Sequence, residues 1–158
     1  MKLARTIRFD DSDLNVFENT AELDEWALSG AFEFSNWTEA DLTGKGRQAF
    51  ANGWMGLESF GRSTFVAVTA ISEREYDDLI DRLSVHFVQR YGAPSLEAAR
   101  GPAVEEIEHM RQMCEDHEDN TLLIVERELV ESGVKESFRV LKPQDADLAQ
   151  FAVHGDME

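Results

Sequence analysis

The middle of the chain carries its strongest structural signal, the stretch SEREYDDLIDRLSVHFVQRY at residues 72–91. Ser72 and Glu75 have the spacing of a capping box, in which each side chain accepts a hydrogen bond from the other residue's backbone N–H. Apolar residues then recur at helical spacing, at Tyr76, Leu79, Ile80, Leu83, Phe87 and Tyr91. Gly92 and Pro94 end the predicted helix, because glycine favours a left-handed cap and proline cannot continue the helix.

A second helix follows directly, beginning near Ser95 or Pro102 and ending at about His117. We predict that it buries one face, made of Val104, Ile107, Met110 or Arg111, and Cys114. Two helices in direct succession argue against a doubly wound parallel sheet, because strands and helices alternate in that architecture.

Strand patterns precede the two helices. Residues 5–9 alternate polar and apolar side chains, and residues 57–71 are rich in β-branched residues. Residues 26–28 and 31–34 flank a predicted hairpin turn at residues 29–30. With further strands after the helices, the order predicts an α+β fold, in which a largely antiparallel sheet carries two consecutive helices packed on one face.

The last strand pattern is a hairpin of residues 122–130 and 134–141 around a turn at residues 132–133. We expect Val125 to lie opposite Val140, which gathers apolar side chains on one face of the pair. Apolar residues also occur on the other face, so we predict that the hairpin lies inside the sheet and not at its edge.

The chain of 158 residues has 32 acidic and 15 basic side chains, a formal net charge of −17 at pH 7. Its length favours one domain, which we assign to residues 1–143, with residues 144–158 as a polar C-terminal tail. A surface this acidic is repelled by phosphate groups, so we predict no nucleic acid and no membrane as partner. A single cysteine excludes an internal disulfide, and no apolar run approaches the ~20 residues of a membrane span. We therefore predict a soluble cytoplasmic protein.

One glycine-rich segment, residues 44–62, reverses the local charge. Residues 9–44 contain ten carboxylates and no lysine or arginine, whereas residues 45–62 sum to +2. Basic side chains beside the backbone N–H groups of a helix start are placed to hold an anion, and a tryptophan between glycines is a suitable pocket lining. The predicted ligand- or partner-binding residues are Lys45, Arg47, Trp54 and Arg62.

Three further motifs each lack a residue or a structural element that their chemistry requires. Residues 44–49 match the dinucleotide fingerprint G-x-G-x-x-A, but no buried strand precedes them. Glu106 and His109 form a Glu-x-x-His motif, but a di-iron site needs a second copy on a facing helix. Cys114 and His117 are two metal-ligand types on one helix face, but zinc takes four ligands. We therefore predict no metal and no cofactor.

Two segments carry a resemblance to a known family. Residues 25–34 read EWALSGAFEF, and residues 45–64 contain RQAF, GWMGL and FGRST. Together they resemble a family of small, mainly alphaproteobacterial proteins of unknown function, and the similarity covers most of the chain. The resemblance implies a bacterial cytoplasmic protein and carries over no activity, cofactor or catalytic residue.

These observations favour a non-catalytic accessory or binding domain that engages an anionic small molecule or a partner protein through residues 44–62. The alternative is a small enzyme with a dispersed site near His109, Cys114 and His117, where a thiol and two imidazoles supply the reactive groups. A homo-oligomer formed through an open edge of the sheet, or through the strand Val130–Leu141, is a third hypothesis.

Overall fold

The computed structural model describes residues 1–8 and 12–141, and the predicted tail at residues 144–158 lies outside them. Within the described ranges the chain forms seven strands and four α-helices. In chain order they are β1 (Lys2–Ile7), α1 (Ser12–Val16), β2 (Trp26–Leu28), α2 (Gly44–Asn52), β3 (Trp54–Gly56), β4 (Arg62–Ser63), β5 (Phe65–Ala70), α3 (Glu73–Arg90), α4 (Leu96–Glu115), β6 (Leu122–Val130) and β7 (Gly133–Leu141). Two short 3-10 helices lie at Ala31–Phe34 and Glu39–Asp41.

The strands form one sheet in the order β4-β3-β2-β1-β5-β6-β7, and every pair of neighbours is antiparallel. Helix α4 packs against β1 and β2, and α3 packs against α4. The sheet is curled, since Ser29 at the end of β2 donates a hydrogen bond to Glu136 on β7, four strands away. This arrangement confirms the predicted α+β class, with a largely antiparallel sheet and two consecutive helices on one face.

Helix α3 begins at the predicted capping box. The Ser72 hydroxyl accepts from the Glu75 N–H at 3.1 Å, and the Ser72 N–H donates to the Glu75 carboxylate at 3.3 Å. Its buried face consists of Tyr76, Leu79, Ile80, Leu83, Ser84 and Phe87. Tyr91 is instead 42% exposed, because it lies past the last turn of the helix and Gly92 (φ +74°) redirects the chain there.

Helix α4 begins at the first of its two predicted starts, where the Ser95 hydroxyl accepts from the Ala98 N–H at 3.0 Å. It continues through Pro102. Its buried face consists of Ala99, Ala103, Ile107, Met110 and Cys114. The prediction that Val104 is buried is wrong, because the neighbouring and smaller Ala103 faces the core while Val104 is exposed.

The predicted strand at residues 31–34 is wrong. The preceding glycine has a left-handed φ of +72°, and the four residues form a 3-10 helix. Phe32 packs edge-to-face against Phe87 of α3 with ring centroids 5.0 Å apart, whereas Phe34 packs against Phe50 of α2 at 5.3 Å. The two phenylalanines therefore belong to separate clusters, and their alternate spacing does not reflect a strand.

The hairpin of β6 and β7 is confirmed, but its register is not the predicted one. Val125 lies opposite Phe138 and not Val140, and the turn consists of residues 131–132. A shift of two residues keeps every side chain on its own face, so the apolar pattern does not distinguish the two registers. β7 is also the edge strand of the described sheet, which corrects the prediction that the hairpin lies inside it.

A polar cluster joins α3 to α4. The Tyr76 hydroxyl donates to Glu108 Oε1 at 2.7 Å. Arg111 donates through Nε to the same oxygen at 2.8 Å and through Nη2 to Oε2. The hydrogen bonds from Arg111 and Tyr76 lower the pKa of Glu108 to about 2, which makes the contribution of this cluster to stability depend on pH.

We expect Glu108→Gln to destabilise the protein at neutral pH and to have little effect near pH ~2. The contribution of the carboxylate is fully present above its unfolded pKa of about 4.5, and it is lost as the pH falls through about 2. Denaturant midpoints of the wild type and the variant should therefore converge as the pH falls between those values. Glu105→Gln is the control, because Glu105 is an exposed carboxylate on the same helix. A difference in stability between the wild type and Glu108→Gln that stays constant with pH would contradict this role of Glu108.

Candidate functional site

One cavity of about 280 Å³ opens between the loop after α1, the first 3-10 helix and the first turns of α2. Two of the four predicted site residues, Lys45 and Arg62, line it, and we call it the Lys45 cavity. Its aromatic lining consists of Phe17, Phe34, Trp37 and Phe60. Glu18, Asn19 and Glu33 are further polar residues of its wall. The cavity thus combines a ring-lined interior with charges of both signs.

Arg62 contributes a buried guanidinium to this wall, with its side chain only 5% exposed. Its Nη1 donates to the carbonyls of Ser29 at 3.3 Å and Gly53 at 3.0 Å. Its Nη2 donates to the carbonyl of Gly30 at 3.0 Å and to the Glu33 carboxylate at 2.5 Å. Burial lowers the pKa of Arg62 against the opposing effect of Glu33. Its charge is paired with Glu33, and these N–H groups donate to backbone carbonyls and to Glu33. Arg62 therefore forms part of the cavity wall but is not a free cation.

A second buried arginine, Arg127 of β6, continues this network. Its Nε donates to the Glu136 carboxylate at 2.7 Å, and its Nη2 donates to the Ser29 carbonyl at 2.6 Å. Its Nη1 donates to the carbonyls of Phe50 and Gly53, both at 2.9 Å. These carbonyls include the end of α2, where a helix leaves acceptors without an intrahelical partner. Arg127 therefore connects β6 to α2 and to the end of β2.

The two guanidinium groups lie near one aromatic ring. The centroid of Phe34 is 4.6 Å from the Arg62 guanidinium carbon and 5.4 Å from that of Arg127. Burial and the neighbouring Arg62 lower the pKa of Arg127 to about 10, so it stays charged at neutral pH. We did not single out Arg127 from the sequence. The signal available in the sequence was the alternation of side chains along β6, which places Arg127 on the same face as the buried Leu123 and Val125.

Lys45 offers the cavity a free positive charge. It lies in the first turn of α2 and is exposed. Among residues 1–8 and 12–141, its side chain makes no hydrogen bond or ion pair. Arg47 is exposed two residues further along the same helix, but it is not part of the lining. Of the four predicted residues, Lys45 is therefore the one that both lines this cavity and has no partner within the described ranges.

Trp54 lies in the core and does not line the cavity. It is 0% exposed on β3, and its ring stacks on Phe138 of β7 with centroids 5.6 Å apart. Its indole N–H has no partner within the described part of the chain. The glycine at position 56 is explained by packing, because a Cβ there would overlap the Glu25 carboxylate. The tryptophan of the cavity is Trp37.

A fully buried carboxylate holds the loop of residues 57–61, which forms one wall of the cavity. Glu25 accepts from the Glu58 N–H at 2.8 Å, the Ser59 N–H at 2.8 Å and the Ser59 hydroxyl at 2.6 Å. The loop carries Phe60 in a left-handed conformation (φ +57°), which is uncommon for a residue other than glycine. The hydrogen bonds to Glu25 hold the loop in this shape and so place the Phe60 ring.

A second cavity of about 480 Å³ adjoins the first and shares Asn19, Glu33 and Phe60 with it. The Phe60 ring stacks on His86 of α3, with centroids 3.7 Å apart and planes inclined by 2°. Burial lowers the pKa of His86, which favours the neutral imidazole. This stack ties the loop, and with it one wall of the Lys45 cavity, to α3.

The residues of the enzyme hypothesis line neither of these cavities. Cys114 is 0% exposed in the core, and burial raises its pKa to about 12, which disfavours the reactive thiolate. His109 is exposed, with its ring 6.1 Å from that of Phe138. The carbonyl of His117 accepts from the Lys2 ammonium at 2.6 Å. In the part of the chain that the structure covers, no three His, Cys, Asp or Glu side chains lie together as a metal site.

A protein-family model, described as a family of unknown function (DUF6505), matches residues 1–158. The chain belongs to this family. Membership of DUF6505 confirms the predicted resemblance to a family of unknown function. No curated protein and no solved structure matches the chain. Across the described ranges, no helix of this DUF6505 member is long and apolar enough to span a membrane. A function therefore has to be argued from the geometry of the site.

Proposed function

We propose that the protein is a non-catalytic binding protein whose ligand is a small ring-containing molecule with a carboxylate group, held in the Lys45 cavity. The observation that carries this proposal is the free ammonium of Lys45 on the wall of a cavity that four aromatic residues also line. An ammonium forms charge-assisted hydrogen bonds with a carboxylate. Aromatic walls bury the faces and edges of a ligand ring, with a large gain in apolar contact.

The size of the cavity favours a small molecule over a protein surface. Sites for drug-sized ligands measure about 300–1,000 Å³, so a cavity of about 280 Å³ suits a molecule with a single ring. A stable protein partner buries about 800 Å² on each side, which is far more than the walls of this cavity supply.

Local charges decide recognition in this cavity. Glu33 and Arg62 neutralise each other across 2.5 Å, which leaves Lys45 as the cation that a ligand can reach. At ~0.15 M salt the Debye length is about 8 Å. The net charge of −17 therefore acts weakly on a bound anion, while Lys45 acts at contact distance.

Lys45→Gln is expected to weaken the binding of 3-phenylpropionate about tenfold, because it removes a charge-assisted hydrogen bond and leaves the aromatic walls intact. Isothermal titration calorimetry at ~0.15 M salt measures the dissociation constants. Arg47→Gln is the matched control, since it removes the same charge from the same helix outside the cavity. We expect it to change the affinity by less than about twofold.

Two sets of compounds complete the test. The neutral alcohol 3-phenylpropanol has the same ring without the carboxylate, and it should bind equally to the wild type and to Lys45→Gln. The acids 3-(4-hydroxyphenyl)propionate and indole-3-propionate extend the comparison to other rings. Absence of binding by all of these acids, or an equal loss of affinity in the Lys45 and Arg47 variants, would contradict the proposal.

A further inference from the structure

The Lys45 cavity carries a second charge without a partner in the described part of the chain, the carboxylate of Glu18. This residue follows α1 and is exposed on the cavity wall. Its side chain makes no hydrogen bond or ion pair with any residue in the ranges 1–8 and 12–141, Lys45 included. The other carboxylate of the wall, Glu33, is paired with Arg62 at 2.5 Å. The cavity thus presents one free cation and one free anion.

From this pair of charges we infer that the ligand is a zwitterion, a free amino acid with a ring in its side chain. The inference rests on the proposed function and adds Glu18 to the binding site. The ligand carboxylate accepts hydrogen bonds from the Lys45 ammonium, and the ligand ammonium donates to Glu18. Both contacts join opposite charges and are therefore charge-assisted.

The charge pattern distinguishes this class of ligand from its two simpler relatives. A simple anion satisfies Lys45 but brings its charge close to that of Glu18, and like charges at short range repel. A simple cation satisfies Glu18 and is repelled by Lys45. A zwitterion is attracted at both positions.

The remaining wall accounts for the ring. Phe17, Phe34, Trp37 and Phe60 contribute aromatic surface to the same cavity. Phe34 and Trp37 are already packed edge-to-face, with centroids 4.8 Å apart. Aromatic groups prefer edge-to-face and offset arrangements with one another, so a ring in the ligand extends an existing cluster.

The test uses three compounds that differ by one charged group each: L-phenylalanine, 3-phenylpropionate without the ammonium, and phenethylamine without the carboxylate. We expect the wild type to bind L-phenylalanine about tenfold tighter than either relative. Glu18→Gln should abolish the advantage over 3-phenylpropionate. Lys45→Gln should abolish the advantage over phenethylamine. Glu39→Gln is the control, because it removes an exposed carboxylate outside the cavity.

Tyrosine and tryptophan, each with its acid and its amine, repeat the comparison for other rings. The wild-type measurements test the inference without any variant, and the circular dichroism and unfolding midpoint of Glu18→Gln report whether its fold is retained. Two results would contradict the inference that the ligand is a zwitterion: amino acids that bind no tighter than their deaminated acids, or a tighter binding of the amino acid that persists in Glu18→Gln. Neither result would contradict the binding of acids through Lys45. Absence of binding by every acid and amino acid would overturn both.

Discussion

Replacing Arg127 with methionine is expected to lower the free energy of unfolding by about 3–5 kcal/mol, the cost of removing one partner from a buried ion pair. The side chain of Arg127 is 0% exposed, and that of its partner Glu136 is 17% exposed. Methionine leaves Glu136 without its cation, and the carbonyls of Ser29, Phe50 and Gly53 lose a donor. The Ser29 and Gly53 carbonyls keep their hydrogen bonds from Arg62, so most of the expected cost comes from the Glu136 carboxylate that is left without its cation.

Arg139→Met is the matched control for this prediction. Arg139 lies exposed on β7 and pairs with Glu126 across 3.8 Å, and surface pairs of this kind contribute only about 0–1 kcal/mol. Arg127→Lys keeps the charge but lacks the planar set of five donors. Its free energy of unfolding should therefore fall between those of the two methionine variants. Urea unfolding curves measure all of these variants. An Arg127→Met protein within about 1 kcal/mol of the wild type would show that the network contributes little to stability.

The second large effect is expected at Glu25, where Glu25→Ala should lower the free energy of unfolding by about 3 kcal/mol. Glu25 is 0% exposed. Besides the loop, its carboxylate holds the Glu22 N–H at 2.5 Å. Alanine leaves this N–H and those of Glu58 and Ser59 without acceptors. The substitution also releases Phe60, so the Lys45 cavity loses an ordered wall.

Hydrogen exchange separates the local effect of Glu25→Ala from the global one. The amides of Glu58 and Ser59 should exchange faster in the variant, and binding in the Lys45 cavity should weaken with them. Glu25→Gln retains one acceptor oxygen, so its loss should be smaller. Glu22→Ala removes a neighbouring exposed carboxylate and should change stability by no more than about 0.5 kcal/mol. Wild-type exchange at Glu58 and Ser59 in Glu25→Ala would contradict the role assigned to this carboxylate.

Neither Arg127 nor Glu25 was singled out from the sequence, and the reason is physical. A charged residue is almost never fully buried unless it has partners, so its default expectation is an exposed position. The partners of Arg127 lie up to 98 residues away in the chain, at Ser29. Those of Glu25 reach 34 residues, to Ser59. A local sequence pattern cannot show that hydrogen-bond partners this far apart in the chain come into contact.

The site shows the same division. The charge reversal at residues 44–62 pointed to Lys45, which lines the cavity with a free ammonium. The same pattern also pointed to Trp54 and Arg62, which the fold buries. The Trp54 ring stacks on Phe138. The Arg62 guanidinium donates hydrogen bonds to backbone carbonyls and to Glu33. Chain folding brings these partners to the two side chains. Glu18 also lines the cavity, but it belongs to the acidic residues 9–44, which the charge argument did not consider as a site.

By itself, the sequence determined the α+β class, the capped start of α3 and the existence of the last hairpin. These features depend on interactions between residues three or four positions apart, or on the alternation of side chains along one strand. The tertiary structure decided the register of β6 and β7, the edge position of β7, the burial of Arg127 and Glu25, and the cavity. A register shifted by two has the same apolar pattern. A charge becomes buried only where distant segments bring its hydrogen-bond partners together.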